Sequence, residues 1–464
     1  MSSIYKTRLP ECVWPAVPHL AAQDLLAHLF QLEYSQWLPP STLLSNQLSQ
    51  LDKLLTYIKD ESPFYRERFS QIGGKMKYLR ELPLLTRNQL AEQGSNINCK
   101  NIPPKHLPFQ EIQTSGSTGQ TVKVMRTTLN TLMWMALSMR DHLWHRRDFS
   151  QTLAIIRANV SPQDDEQIAK RDGWGAPATL LFETGPSYRQ SLSLSVTDQV
   201  KWLLRRNPYY LLTYPTNLKE LLHAFERLQV FPSNLKEIRG VGETFSPEIK
   251  VLCAKFDLKV VDIYSAQEVG VIALQCPVSG FYHIQSESLL VEILDDAGNP
   301  CSEGQIGKVV ITDLHNFATP IIRYEIRDYA RVGGQCPCGR GLPVLTEILG
   351  RRRNMVTLPN GSKHWPAVGF TKFSQIAFIQ QYQLIQIDLH NIEVKLVTKE
   401  KLSEEQEKQL IVVMWEALGY PFTLKFNYFT QELPKTVGGK FEEFISLVDV
   451  SSTKEARKTI NSNG

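Results

Sequence analysis

The sequence has few of the features that mark membrane, disulfide-rich or nucleic-acid-binding proteins. No window approaches the roughly 18 apolar residues that a membrane-spanning helix needs. The seven cysteines are an odd number scattered over 464 residues, which favours a reducing compartment over a disulfide framework. Lys plus Arg (51) exceeds Asp plus Glu (47) by only four, too little to predict binding to nucleic acid or to a membrane surface.

The first residues, MSSIYKTRLPECVWPAVPHL, lack a charged start followed by an apolar core, so no secretory signal is predicted. Neither an internal repeat nor a low-complexity tract is visible. These absences lead us to expect a cytoplasmic protein with no nucleic-acid or membrane partner. We expect a monomer or homodimer.

Hydrophobic spacing divides the chain into segments of different character. Apolar residues three and four apart predict helices in the first hundred residues, with Pro39 and Pro40 between two of them and Ser41 as the N-cap of the second. From about residue 150 to 265, short β-like runs such as TLAIIRA and KVVDIYS alternate with helical stretches such as NLKELLHAFERL. This alternation predicts βαβ units and a largely parallel sheet.

The pattern changes twice in the second half of the chain. After residue 285, runs such as SLLVEILDDAGNP and GQIGKVVITDL predict strands joined by turns, as in an antiparallel barrel or meander. We therefore expect an α/β fold with a large N-terminal domain (1–350) of mostly parallel sheets and a small barrel. A hinge (351–354) leads to a small, mobile C-terminal α+β domain (355–464).

A stretch rich in glycine and hydroxyl groups, QTSGSTGQTVKV, lies between two segments of β-like composition. Glycine lets the backbone turn tightly and present its N–H groups, and hydroxyl groups can donate to phosphate oxygens. The stretch does not match the G-x-x-x-x-G-K-[ST] loop, and its composition alone favours a solvent-exposed turn. The residues that could hold phosphate are Ser115, Gly116, Ser117, Thr118, Gly119 and Lys123.

Five more segments follow in order along the chain: GVGETFS, DIYSAQEVG, PIIRYEIRDYARV, ILGRRRN and LPKTVGGKFEEF. Together with TSGSTGQTVKV they resemble the phosphate loop, Gly-Gly-Glu turn, Y-G-x-T/S-E segment, I-R-Y-x-x-x-D strand pair, hinge and mobile-lysine segment of the adenylate-forming superfamily. Within it, the chain is similar to phenylacetate–coenzyme A ligases. The resemblance extends over nearly the whole chain.

The resemblance implies a two-step reaction and the residues that perform it. A carboxylate attacks the α-phosphate of ATP, pyrophosphate leaves, and the acyl-adenylate passes its acyl group to a thiol, coenzyme A above all. The glycine-rich stretch would hold the departing phosphates. Glu268 would bind Mg²⁺, and Lys440 would stabilise the charge that develops at the α-phosphate. These two are the implied catalytic residues.

The same resemblance implies a site for ATP and AMP. Asp262 and Tyr264 would contact and stack on adenine, Asp328 would accept hydrogen bonds from the ribose hydroxyls, and Arg351 would support the same end of the nucleotide. Backbone and turn residues complete the set: Gly242, Glu243, Thr244, Ile263 and Ser265.

Several positions depart from the family's pattern. Ser265 stands where glycine is usual, Gln267 where Thr or Ser precedes the glutamate, and the hinge reads Arg-Arg-Asn at 352–354. These departures motivate a non-catalytic binding protein as an alternative. The retention of four implied site residues argues against that alternative: Glu268, Asp328, Arg351 and Lys440.

A second group of residues has the chemistry of a metal site. Cys276 and His283 lie in CPVSGFYH, and Cys336 and Cys338 lie in CPCGR. Three cysteines and a histidine suit a tetrahedral structural Zn²⁺, although the spacing is not that of a standard zinc finger. Reduced structural cysteines are an equal alternative.

Substrate and acceptor are the least determined features. An aromatic-rich segment suggests a pocket for an aryl or arylacetic acid, with the alternative that the same side chains fill the core. The acceptor could be coenzyme A, the thiol of a carrier protein or a free amine. The aromatic residues in question are Trp134, Trp144, Phe182, Tyr188, Tyr209, Tyr214 and Phe245.

Overall fold

The computed structural model describes most of the chain, and the following statements concern only those residues. No described helix is long and apolar enough to cross a membrane. The backbone is described at residue 351, but its side chain is not. The described residues are 5–71, 79–114, 122–158, 160–351, 354–366, 373, 375–431, 433–434 and 441–448.

The chain divides into two compact units. The larger unit comprises Met1–Phe245 with Leu252–Ile348, and the smaller comprises Ser246–Val251 with Leu349–Gly464. The expected hinge at 351–354 lies just after Leu349, where the longer segment of the smaller unit begins. Its function as a hinge stays a prediction.

Four helices occupy the N-terminal part of the larger unit: α1 (Gln23–Ser35), α2 (Pro40–Glu61), α3 (Pro63–Gln71) and α4 (Arg87–Gln93). The prediction of Ser41 as an N-cap is wrong, because α2 already begins at Pro40 and its N-cap residue is Pro39. Proline suits the first helical position, since its fixed φ is helical and the missing N–H would have no partner there.

Next come a hairpin and a long helix. Strands β1 (Phe109–Thr114) and β2 (Val122–Thr127) pair in antiparallel register, with Thr114 opposite Val122. Helix α5 (Thr128–Trp144) follows directly. Its start is fixed by a capping box, in which the Thr127 hydroxyl accepts from the Asn130 N–H and the Asn130 side chain accepts from the Thr127 N–H.

A five-stranded parallel sheet confirms the predicted βαβ units, with the strand order β4-β3-β5-β6-β7. Its inner strands carry buried aliphatic side chains, as expected for a sheet covered on both faces. The strands are β3 (Leu153–Arg157), β4 (Ser187–Ser191), β5 (Tyr210–Thr213), β6 (Glu237–Gly240) and β7 (Lys259–Val261). The helices of this region are α6 (Glu166–Asp172), α7 (Ala178–Leu181), α8 (Val196–Arg206), α9 (Pro215–Leu228) and α10 (Pro247–Lys255).

The segment in which the sequence indicated a barrel or meander forms a seven-stranded sheet of order β11-β12-β13-β14-β10-β9-β8. Antiparallel pairs dominate it, among them β8–β9, β9–β10 and β12–β13. The strands are β8 (Ile263–Ala266), β9 (Gly270–Gln275), β10 (Tyr282–Ile284), β11 (Leu289–Leu294), β12 (Ile306–Asp313), β13 (Tyr324–Val332) and β14 (Val344–Arg351).

The smaller unit is a compact α+β structure with its own apolar core. A four-stranded sheet of order β19-β18-β17-β20 carries α11 (Glu404–Leu418), whose residues Leu410, Met414 and Leu418 are buried. The strands are β15 (Val356–Thr357), β16 (Lys363–His364), β17 (Gln381–Gln386), β18 (Asn391–Val397), β19 (Thr423–Phe429) and β20 (Phe444–Ser446).

Candidate active site

The hairpin β1–β2 carries the glycine-rich stretch, as its position between two β-like runs predicted. Ser115, Gly116, Ser117, Thr118 and Gly119 lie outside the described residues. Lys123 is exposed on β2 and forms an ion pair with Glu111 across the hairpin, with 2.9 Å between Nζ and Oε1. Its expected role at the phosphates stays a prediction.

Glu268 lies in a cluster of polar groups at the base of this hairpin. Its Oε1 accepts from Nη1 of Arg87 at 2.6 Å, and Nη2 of Arg87 donates to the Thr114 hydroxyl at 2.9 Å. Nη1 also lies 3.4 Å from the hydroxyl of Tyr324. Arg87 therefore connects the glutamate implied in magnesium binding to the strand that leads into the glycine-rich stretch.

The electrostatics of this cluster favour a charged Arg87. Burial opposes the charge, but Tyr324 and Glu268 outweigh it and raise the pKa of the Arg87 guanidinium. The glutamate itself is 9% exposed. A buried carboxylate needs such a partner, because an uncompensated buried charge is costly.

Sequence reasoning missed Arg87. The residue is the first of helix α4, after a capping box between Thr86 and Gln89, and that local pattern predicts only a helix start. Arg87 and Glu268 are 181 positions apart. No local signal connects them, so only the fold reveals the pair.

The structure brings together two residues of the implied nucleotide site. The hydroxyl of Tyr264, on β8, donates to Oδ2 of Asp328, on β13, at 2.8 Å. A carboxylate held by a tyrosine is fixed in orientation and has further acceptor positions. The pair suits the expected contacts with adenine and ribose.

Asp262 is tied to the protein through both carboxylate oxygens. Oδ2 accepts from the Tyr282 hydroxyl at 2.9 Å and Oδ1 from the N–H of Ile263. Burial, followed by the adjacent Asp262 carboxylate, raises the pKa of Tyr282. The β8–β9 register shifts between Tyr264 and Ser265, so the site residues of β8 sit at an irregularity of the sheet, a frequent feature beside active sites.

The Gly-Gly-Glu turn follows strand β6. Gly242 has φ +77°, a conformation that glycine adopts without a steric penalty. Oε2 of Glu243 accepts from the N–H of Thr216 at 2.9 Å, which satisfies one free N–H in the first turn of α9. Thr244 is exposed. The contact gives Glu243 a structural role in addition to the expected one.

Two predicted residues have side chains outside the described part of the chain. Arg351 ends strand β14, with only its backbone described. Lys440 lies outside the described residues altogether. Their roles at the nucleotide stay predictions.

The aromatic residues expected around the acyl group divide into two sets. Trp134 lines a pocket that Glu268 also lines. Phe182 instead stacks on Phe149 with ring centroids 4.5 Å apart, inside an apolar core. Several others are buried in the protein: Trp144, Tyr188, Tyr214 and Phe245, with Tyr209 packed against the core. The core alternative thus describes Phe182 and Trp144, and an aromatic-rich lining for the acyl group stays a prediction.

The four residues predicted to bind zinc meet in one buried cluster. Their ligand atoms all lie within 4.8 Å of one another. The sulfur atoms of Cys276 and Cys336 are 3.8 Å apart, and the sulfur of Cys338 is 3.2 Å from Nε2 of His283. Ligands on a tetrahedral zinc, with bonds of about 2.0–2.3 Å, lie roughly 3.3–3.8 Å from one another.

The surroundings of this cluster also suit a metal. Burial lowers the pKa of His283 to about 4, which keeps the imidazole neutral, and its Nδ1 donates to the carbonyl of Leu342 at 3.2 Å. Nε2 then carries the lone pair that a metal needs. Burial acts to raise the pKa of the Cys276 thiol, but hydrogen bonds from the backbone N–H groups of Ser279 and Val278 outweigh it and lower that pKa. The residues fit a structural zinc ion.

Comparison with known proteins agrees with this geometry. The family model described as the CapK C-terminal domain matches residues 368–446. Phenylacetate–coenzyme A ligase of Thermus thermophilus is 25% identical over 344 residues, covering 69% of this chain and 73% of that protein. The Pseudomonas putida protein of the same name is 23% identical over 397 residues, covering 80% and 85%.

Solved structures support the same fold. The crystal structure of 2-hydroxyisobutyryl-CoA ligase in the postadenylation state superimposes with a TM-score of 0.69 at 17% identity, covering 92% of this chain and 93% of that chain. The architecture, a large unit with a parallel sheet and a smaller α+β unit, is that of the adenylate-forming ligases.

The chain is therefore similar to phenylacetate–coenzyme A ligases over most of its length and has the fold of adenylate-forming ligases, which confirms the resemblance seen in the motifs and the expectation of a ligase.

Proposed function

We propose that this protein uses ATP to activate a carboxylic acid and then transfers the acyl group to the thiol of coenzyme A. The observation that carries the proposal is the position of Glu268. This residue accepts a hydrogen bond from Arg87, which also donates to Thr114 at the strand end, and it lines a pocket. A carboxylate at that junction can serve both the phosphates and the acid that attacks them.

In the first step an oxygen of the substrate carboxylate attacks the α-phosphorus of ATP. The bond to the bridging oxygen of the β-phosphate breaks, and pyrophosphate leaves. Such a reaction depends on alignment and charge neutralisation more than on a protein nucleophile. Ser115, Ser117 and Thr118 would bind the leaving phosphates, and Lys440 would contact the α-phosphate.

Magnesium would be held by Glu268 together with the phosphates of ATP. The carboxylate fits this role because a carboxylate offers about four lone-pair positions and Arg87 occupies one oxygen. When bound, the ion neutralises phosphate charge. Asp328, held by Tyr264, would accept hydrogen bonds from the ribose hydroxyls.

In the second step the deprotonated thiol of coenzyme A attacks the acyl carbon, and AMP leaves with the electron pair of the broken C–O bond. Transfer to a carrier-protein thiol or to an amine would use the same adenylate. The contact between Tyr264 and Asp328 argues against the non-catalytic alternative, because it keeps an implied nucleotide ligand in a defined orientation.

The proposal is tested by measuring pyrophosphate release with a panel of aryl, arylacetic and short aliphatic acids, with and without coenzyme A. We expect release that depends on the acid, and AMP formation that speeds up with coenzyme A. Turnover with an amine or carrier protein but not with coenzyme A would show that one of those is the acceptor. Absence of both acid-dependent release and ATP–Mg²⁺ binding by calorimetry would support the non-catalytic alternative.

A substitution of Arg87 tests the polar cluster. We expect Arg87→Met to lower kcat/KM for ATP by about tenfold, because one lost charged contact of this kind is worth about 1.4 kcal/mol. Arg87→Lys restores part of the loss, since it keeps the charge but cannot contact Glu268 and Thr114 together. The exposed Arg171→Met is the matched control. An unchanged kcat/KM for ATP in Arg87→Met would show that Arg87 has no role in the use of ATP.

We propose that the Cys–His cluster binds a structural zinc ion with no catalytic role. Metal analysis of the purified protein is expected to find about one zinc per chain. Cys276→Ser and Cys338→Ser should lose it, whereas Cys301→Ser, a free cysteine outside the cluster, should keep it. Equal metal content in all of these variants would support reduced structural cysteines instead.

A further inference from the structure

A small pocket lies in the larger unit beside Glu268. One wall is apolar and is built from β2, α5, β9 and the residue before β9: Val124, Met133, Trp134, Leu137, Val269 and Val271. A Cβ atom added at Gly270 would lie 3.4 Å from the Trp134 ring, and Gly270 has φ +90°. The positive φ favours glycine at this position, and the Trp134 ring packs beside it.

The opposite side of the pocket is polar, and most of its polar groups already have partners. Oδ1 of Asn316 accepts from the N–H groups of Ala318 and Thr319, and its Nδ2 donates to the carbonyl of Met125. Oδ1 of Asn130 caps helix α5. These two amides are therefore occupied by the protein.

Asp313 differs from those amides. It is 3% exposed, and its Oδ1 accepts from the N–H of His315 at 2.9 Å. Its Oδ2 lies 3.5 Å from Nδ2 of Asn130, and the N–H of Asn316 also hydrogen-bonds to the carboxyl group. That distance is the limit of a hydrogen bond, so Oδ2 retains hydrogen-bonding capacity at the pocket.

The charge state of Asp313 adds to this picture. Burial raises its pKa to about 7, against the opposing effects of backbone hydrogen bonds from His315 and Asn316 and the charge of Arg126. Near neutral pH the carboxyl group can therefore either donate or accept a hydrogen bond.

Arg126 limits which groups the pocket can take. Its guanidinium lies over the Trp134 ring, 4.4 Å from the centroid, and donates to the carbonyl of Gln267 at 2.9 Å. A cation is thus already part of the pocket. An ammonium group beside it would be repelled, whereas a neutral hydroxyl group would not.

We propose that this pocket is the acyl subsite and that Asp313 selects a compact carboxylic acid carrying a neutral hydroxyl group. This inference rests on the proposed function. The apolar wall holds the carbon skeleton against Trp134, the hydroxyl group hydrogen-bonds to Oδ2 of Asp313, and the reacting carboxylate lies toward Glu268.

Physical chemistry predicts strong selectivity from this arrangement. An apolar pocket hardly distinguishes an acid from its hydroxylated analogue, but a site built to bond the hydroxyl group rejects the analogue that lacks it by orders of magnitude. Without the hydroxyl group, Oδ2 of this buried carboxyl group lacks a hydrogen-bond partner from the substrate.

Matched acid pairs test the inference. Pyrophosphate release is measured with pairs that differ by one hydroxyl group, such as 4-hydroxyphenylacetate and phenylacetate, or 3-hydroxybutyrate and butyrate. We expect the hydroxylated member of at least one pair to have a kcat/KM about a hundredfold higher. Direct binding of the same acids is measured by calorimetry, so the inference is tested even in a protein that turns none of them over.

Variants of Asp313 test whether this residue causes the preference for hydroxylated acids. Asp313→Leu and the nearly isosteric Asp313→Asn are compared with Asp296→Asn, an exposed control in the same unit. We expect Asp313→Leu to reduce the preference for the hydroxylated acid over the plain acid to within about threefold. Asp313→Asn keeps the shape of the side chain and should keep part of the preference for the hydroxylated acid. It replaces Asp313→Leu in the test if the leucine variant does not fold.

The two proposals fail in different ways. Turnover and binding of plain acids as good as those of hydroxylated acids, or a preference that Asp313 variants leave unchanged, overturns the hydroxyl inference alone. A preference for acids with an ammonium group overturns it as well. If no acid yields pyrophosphate, the proposed function fails. Selective binding of a hydroxylated acid that Asp313→Leu removes would still support the subsite.

Discussion

Lys440→Ala is expected to lower acid-dependent pyrophosphate release by about 10²–10³-fold, the typical cost of removing one group aimed at developing charge. Lys440 follows two glycines in LPKTVGGK, so its backbone can come close to a crowded site. Its ammonium group is a flexible point charge, suited to the α-phosphate and the attacking carboxylate. Initial rates at saturating ATP and acid give the loss in kcat.

A matched control separates this effect from a general loss of positive charge in the same domain. Lys425 lies exposed on β19, outside the LPKTVGGK segment, and Lys425→Ala should leave the rate unchanged. The thioester-forming step supplies a second readout. Synthetic acyl-adenylate supplied to Lys440→Ala should still react with coenzyme A at a rate near that of the natural protein. Unchanged adenylation in Lys440→Ala would remove the lysine from the reaction.

The general fold could be predicted because it depends on hydrophobic periodicity. Alternating segments such as TLAIIRA and NLKELLHAFERL became β3 and α9 of a parallel sheet with its helices. The error at Ser41 is a matter of helix capping, since a serine after two prolines reads as an N-cap although the proline itself can begin the helix.

The site could be predicted only where a local motif marks it. Tyr264 and Asp328 each lie in a recognisable segment, and the fold brings them within hydrogen-bonding distance. Arg87 and Asp313 have no such motif. Arg87 reads as a helix start, and Asp313 reads as the end of the strand VVITD. Their importance arises from neighbours far away in the sequence, which periodicity cannot reveal.

The positions of aromatic side chains were equally difficult to predict from the sequence. Trp134 and Phe182 are equally apolar in the sequence, yet one lines a pocket and the other stacks on Phe149 in the core. What separates them is the set of residues that the fold places around each ring, and composition does not assign that set.

A buried ionic network secures the C-terminal end of α5 to the parallel sheet. Asp141 is fully buried and accepts from Nη1 of Arg147 at 2.6 Å and from Nη2 of Arg239 at 3.0 Å. Glu237 on β6 accepts from Arg147 in turn and pairs with Lys259 on β7 at 2.9 Å. Two buried arginines thus share one aspartate.

Burial acts to raise the pKa of Asp141, but Arg147 and Arg239 outweigh it and hold that pKa below its usual value. A carboxyl group whose folded pKa lies below its unfolded one stabilises the fold fully above the unfolded pKa, about 4. The contribution is lost as the pH falls below that value. The network therefore adds its full stabilisation at neutral pH.

Asp141→Ala is expected to lower the free energy of unfolding of the larger unit by about 3–5 kcal/mol, the usual cost of breaking a buried ion pair from one side. The cause is Arg239, which loses its carboxylate, and Arg147, which keeps only Glu237. Urea denaturation at neutral pH, followed by tryptophan fluorescence, measures the change. Asp172→Ala, at an exposed carboxylate, should shift the stability by no more than about 0.5 kcal/mol.

The pH dependence distinguishes the ionic network from simple loss of packing. The difference in stability between the natural protein and Asp141→Ala should shrink as the pH falls below about 4, because protonation removes the charge that the arginines need. The stability of Asp141→Asn should lie between those of the natural protein and Asp141→Ala. The amide keeps a hydrogen-bond acceptor for one arginine but leaves the positive charges uncompensated. A difference that stays constant down to low pH would show that Asp141 stabilises α5 through its shape and not through its charge.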